Sequence, residues 1–159
     1  MRSLYVIFVV GWCKVFSERH HMHTVVNLSS RDAQQLVHSV IDILTARGAK
    51  GVVAVVDRHG ELLAFLRMDG APLPSTTIAI NKAYTAARAA KPTRDIGKKI
   101  RSADQGFDIA YYGDSRFVGW GGGMPVMVDG VCVGAVSVSG LSEDEDAEIA
   151  ALAIAKLLA

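Results

Sequence analysis

The sequence is poor in cysteine, in aromatic side chains and in net charge, and each shortage removes a class of protein. Two cysteines in 159 residues, Cys13 and Cys132, cannot staple a disulfide framework, and no Cys/His grouping has zinc-finger spacing. A reducing, cytoplasmic compartment is therefore expected. Seventeen Lys and Arg against sixteen Asp and Glu leave a formal charge of +1, too little to draw the chain onto nucleic acid or an anionic membrane, so neither is expected as a partner. The apolar run Leu4 to Trp12 falls far short of the ~20 residues that a membrane helix needs. Also missing are the G-x-S-x-G elbow, the P-loop, H-E-x-x-H and C-x-x-C, which removes several large enzyme classes.

Half of the residues are apolar, which suits one domain with a full core. Residues 1–21 stand apart from it. Arg2 ahead of an apolar stretch suggests a signal peptide, yet Ser17-Glu18-Arg19-His20-His21 offers no small-x-small cleavage site. The segment is expected to be an over-extended start or a poorly ordered tail, with the domain occupying 22–159.

Within the domain, Ser29 and Asp32 form a capping pair, and Ala33, Leu36, Val37, Val40, Ile41 and Leu44 repeat at helical spacing up to Gly48. The run Gly51 to Asp57, the turn Arg58-His59-Gly60 and the run Glu61 to Arg67 read as an antiparallel hairpin. Ser75 to Ala90 is a helix with Ala79, Ala83, Ala86, Ala87 and Ala90 on one face, and Thr93 caps a shorter helix reaching about Ser102. Residues 103–116 read as loop. Phe117 to Trp120, Pro125 to Asp129 and Val131 to Ser139 read as strands, the last two joined at Asp129-Gly130. Ser142 with Glu145 opens a final helix with an acidic first turn. The order α-β-β-α-α-β-β-β-α, rich in hairpins, predicts an α/β (α+β) domain built on a mostly antiparallel sheet covered by helices.

Chemistry could reside in four places, and each also has a plain structural account. Lys82 lies about 60° from the alanine stripe, where its ammonium can enter a cleft or its stem can simply cover apolar surface. Arg67 and Asp69, at the end of the second strand, can pair with each other, or Arg67 can clamp a carboxylate. Gly121, Gly122 and Gly123, ahead of Pro125, can form an anion-binding nest or a strand entry needing close approach. Ser137 and Ser139 share a sheet face, lining a pocket or meeting water. Among the histidines, His38 sits about 135° from the apolar centre of the first helix and is expected to face solvent, or to serve an oligomer interface or cofactor groove. Basic residues from Arg88 to Arg101 and acidic ones from Glu143 to Glu148 form opposite-charge segments that could steer subunits together, two solvated helix faces being the plainer account.

Taken together, Val53-Ala-Val-Val-Asp57, Gly60 to Pro72, Lys82-Ala-Tyr-Thr-Ala86, Gly121-Gly-Gly-Met-Pro125 and Gly134 to Gly140 resemble the GlcG/HbpS family from about Leu28 to Leu158. The resemblance implies a profilin-like fold with a five-stranded antiparallel sheet and helices on both faces, and commonly a homo-oligomer. Some members bind haem, among them a haem sensor and the C-terminal domain of a cobalamin adenosyltransferase of the PduO type; others are encoded among catabolic genes. In the adenosyltransferase domain a histidine near the N-terminal helix is the axial ligand, which marks His38 as the candidate haem ligand here. The expected function is therefore binding of a small molecule, haem or a related tetrapyrrole, in an oligomer. The alternative is an enzyme or accessory protein acting on a small carboxylate or catabolic intermediate, with Lys82 catalytic; under either reading the ligand is expected in a cleft beside the second and fourth strands, among Arg67, Asp69, Lys82, Gly121, Gly122, Gly123, Pro125, Ser137 and Ser139.

Overall fold

A computed structural model describes residues 24–159, and the segment 1–21 set apart above lies outside the described residues. The first helix, α1 (Ser30–Ala46), starts where the capping pair predicts: the Ser29 hydroxyl accepts from the Asp32 amide, and the Asp32 carboxylate accepts from the Ser29 amide at 2.9 Å. Leu36, Val40 and Leu44 on its inner face are fully buried, each contributing about 1.5–3 kcal/mol. The hairpin β1 (Val52–Asp57) and β2 (Leu62–Arg67) follows, then α2 (Ser75–Ala89), α3 (Thr93–Ile100), a 3-10 turn at Ile109–Tyr112, β3 (Gly123–Val128), β4 (Val131–Ser139) and α4 (Glu143–Leu158). The capping box of Ser142 and Glu145 opens α4 as expected.

The strands form one antiparallel sheet in the order β2-β1-β4-β3. Central β1 is covered on both faces, which explains its unbroken apolar run. Val53 and Val55 join Val136 and Val138 under α1 and α4, in a core of large side chains. Val52, Ala54, Val56 and Ala135 meet Ala79, Ala83 and Ala86 of α2 on the opposite face. Small residues there let α2 sit so close that the Ser137 hydroxyl donates to the Ala79 carbonyl at 2.6 Å. The α+β class and the helices on both faces therefore stand.

The fifth strand and the nine-element order do not. Residues 117–120 form no strand, because the backbone groups of Val118 and Gly119 bond to side chains instead of to a neighbouring strand. The Val118 amide donates to the Thr85 hydroxyl at 3.0 Å, and the Gly119 carbonyl accepts from the Arg101 guanidinium at 3.3 Å. A methyl group on Gly97 would run into the Gly119 carbonyl, so this segment is docked on α3. Thr93 is likewise no cap: α3 begins after Pro92 without a side-chain cap, and Thr93 turns its hydroxyl toward Gly123.

Candidate functional site

Lys82 is further inside than a border position implies. It is 3% exposed, and its ammonium donates to the Asp146 carboxylate at 2.9 Å and to the Val138 carbonyl at 3.2 Å. Asp146, only 1% exposed, also accepts from the Leu141 amide through its other oxygen. Burial pushes the Asp146 carboxyl above the usual carboxylate range, and the hydrogen bond and charge of Lys82 oppose that rise. This pair ties the middle of α2 to the first turn of α4 across the end of β4.

The pair forms the floor of a cleft of about 290 Å³ walled by Pro72, Ser75 and Ile78 on one side and by Trp120, Ser139, Gly140, Leu141 and Glu143 on the other. Sequence reasoning missed Asp146 by counting it among the solvated acids that open α4. A signal was available. Asp146 precedes the buried Ile149 and Ala150 by three and four positions, so it lies on the apolar stripe, where a charge needs a partner.

The glycine run touches this pair, and its glycines serve close packing rather than a free nest. The Gly121 amide donates to the Glu143 carboxylate at 2.8 Å and the Gly123 amide to the Thr93 hydroxyl at 3.0 Å, so both donors are engaged inside the chain. Gly122 has φ +116°, and a methyl there would sit 2.8 Å from the Lys82 ammonium and 2.7 Å from the Val138 carbonyl.

The remaining expected site residues disperse. Arg67 reaches the Ala71 carbonyl at 3.3 Å and, with Asp69, borders a separate recess beside Lys50 and Met68. A carboxylate clamp shared by Arg67, Lys82 and the glycines is thus not assembled. Pro125 pairs with Ala135 inside the sheet. Ser137 is taken up by the Ala79 carbonyl, which leaves Ser139 as the serine of the pair that borders the cleft. Among the described residues no His/Cys/Asp/Glu cluster could hold a metal ion by itself.

His38 stands elsewhere, exposed on the outer side of α1 as expected. It borders a groove of about 440 Å³ together with Gln34, Val37, Ala64 and Phe65. The groove opens along β2, an edge strand whose Leu62, Phe65 and Leu66 are 36–49% exposed. Its composition fits a flat apolar group with a coordinating metal: one imidazole engaged in no hydrogen bond with the described residues, beside an apolar wall.

A family model described as haem degrading protein HbpS-like matches residues 28–155. The chain belongs to the HbpS-like family. It is 36% identical over 103 residues, 65% of this chain and 72% of the other, to an uncharacterized 15.0 kDa protein from the dhaT-dhaS intergenic region of Citrobacter freundii. The crystal structure of the Klebsiella pneumoniae protein ORFY matches with a TM-score of 0.82 at 29% identity, covering 88% of this chain and 97% of that one. A crystal structure of a PduOC:heme complex matches with a TM-score of 0.76 at 30% identity, covering 82% and 94%. The groove at His38, the cleft over Lys82 and Asp146 and the recess at Arg67 and Asp69 are separate from one another on this domain. No helix of the described residues is long and apolar enough to cross a membrane.

Proposed function

We propose that this HbpS-like chain binds haem or a related tetrapyrrole in the groove of α1 and β2, with His38 as the axial ligand. One observation carries the proposal: in a family with a haem-bound relative, His38 presents an imidazole, uncommitted among the described residues, beside Val37, Ala64 and Phe65. Val37, Ala64 and the β2 strand at Phe65 would lie along a porphyrin face, and the imidazole nitrogen would donate to its iron. Bound haem would supply redox and ligand-binding chemistry; the chain supplies the apolar wall and the nitrogen. In a titration of the full chain with haemin, the wild type is expected to saturate with a shifted Soret band. His38→Ala is expected to bind at least about tenfold more weakly with an altered spectrum, a loss of ~1.4 kcal/mol or more. Equal affinity and an identical spectrum for the two proteins would discard His38.

We further propose a homo-oligomer, because the groove covers only one side of a flat ligand and lies beside the free edge of β2 with its exposed Leu62, Phe65 and Leu66. A second copy meeting that edge would enclose the other side. The opposite-charge segments are a weaker reason than their sequence suggests. Arg94 is already paired with Asp144 and bonded to the Glu143 carbonyl of its own chain, and Asp146 is buried. Light scattering at micromolar concentration is expected to give at least twice the chain mass of 17.0 kDa, and a mass of one chain would remove the oligomer.

A further inference from the structure

The cleft over Lys82 and Asp146 is distinct from the haem groove, and we propose that it is a binding site for a small neutral polyhydroxylated molecule, a polyol or free sugar. The first ground is a pair of serine hydroxyls in the cleft wall. Ser75 and Ser139 are 6% and 4% exposed and both border the cleft. Among the described residues no buried side-chain polar atom is left without a partner, and each of these hydroxyls is a donor and an acceptor in the cleft wall that a ligand can meet.

Charge decides the class of ligand. Lys82 and Asp146 neutralise each other, and the Glu143 carboxylate stands in the wall. The start of α2, which has no side-chain cap and no acidic residue in its first turn, adds roughly half a positive charge. An anionic ligand would face two carboxylates in this small space, and a cationic one would face the ammonium and the helix end. A hydroxyl group suits both halves of the wall. It can donate to the free lone pairs of Asp146 and Glu143 and accept from the third N–H of Lys82 or from either serine.

Size and the apolar wall agree. A cleft of about 290 Å³ has room for about ten non-hydrogen atoms, at roughly 30 Å³ for each water-sized unit. Trp120, 51% exposed at the rim, offers a flat face to the C–H side of a polyol or sugar ring, with Pro72 and Ile78 opposite. The polar groups bind and orient such a ligand, and no bond-making step is implied.

The test uses the full-length 15N-labelled chain and four probes: glycerol and ribose as neutral ligands, glycerate as the matched anion and serinol as the matched cation. Glycerol and ribose are expected to move the amide signals of Ser75, Ser139 and Gly140 saturably, ribose more tightly, and both at least tenfold more tightly than glycerate or serinol. Ser75→Ala and Ser139→Ala should each weaken ribose binding by about two- to tenfold. Because each change removes one oxygen from the wall of a cleft separate from the groove at His38, both variants should keep the haemin titration of the wild type and melt within about 4 °C of it. The proposal is overturned if neither neutral probe saturates, if glycerate or serinol binds as tightly as glycerol, or if both serine variants bind ribose as the wild type does.

Discussion

Replacing Lys82 by methionine is expected to destabilise the domain by about 3–5 kcal/mol, and replacing Asp146 by leucine in the same chain to restore most of that loss. The single substitution leaves a carboxylate that is 1% exposed without its ammonium. The double substitution leaves two apolar side chains where two charges stood, which removes the desolvation penalty together with the attraction. In a chain of this size the single variant should melt roughly 6–20 °C lower, at about 2–4 °C per kcal/mol. Its deficit should also depend on pH. Burial already holds the Asp146 carboxyl above its ordinary value, and loss of Lys82 raises it further. A raised carboxyl takes up a proton on folding, so its penalty is complete above the folded-state value and is relieved as pH falls through it. The Lys82→Met deficit should therefore be larger at about pH 8 than at about pH 5. Urea denaturation of the wild type, the single and the double variants at both pH values checks this. A double variant no more stable than Lys82→Met, or a deficit that does not change with pH, would show that the ion pair is not what holds α2 to α4.

Local signals accounted for most of the fold. The two capping boxes at Ser29 and Ser142, the turn at Asp129-Gly130 and the alanine face of α2 each depend on residues within four positions of one another, and each reads directly from the chain. Residues 117–120 misled because Phe117 and Val118 have strand-forming side chains, whereas the partners that decide their conformation, Thr85 and Arg101, lie 33 and 18 residues away. The site divides in the same way. Lys82 was legible from its angle on α2 and Ser139 from its alternation along β4. Arg67 was misplaced because its row in the sheet, Arg67 to Val52 to Ser139, sets it two strands from Ser139, about 10 Å across the sheet at ~4.8 Å per strand. The glycine run was ambiguous by its nature: the freedom that lets amides cradle an anion also lets a backbone pass close to a lysine, and only the location of Glu143 and Thr93 separates the two uses.

That close passage makes Gly122 a position where one added methyl group should be costly. Gly122→Ala is expected to cost about 2–5 kcal/mol: roughly 1–2 for holding an alanine at positive φ and about 1–3 for overpacking. The new Cβ would stand 2.8 Å from both the Lys82 ammonium and the Asp146 Cβ, and 2.7 Å from the Val138 carbonyl. Two of those neighbours are backbone or backbone-adjacent and cannot swing away, and the third is pinned by Asp146. The Gly122 carbonyl also accepts from the Val138 amide at 3.0 Å, so a shift of this segment would open the start of β3 as well. Gly113→Ala separates the two contributions. Gly113 has φ +69°, yet a methyl there meets nothing within 4 Å, so it should lose only the conformational part. Thermal melts of both variants should place Gly122→Ala well below Gly113→Ala, by about the overpacking cost. Equal midpoints would mean that the backbone beside Lys82 has room to spare and that the ion pair, rather than the glycine, sets the spacing of the cleft floor.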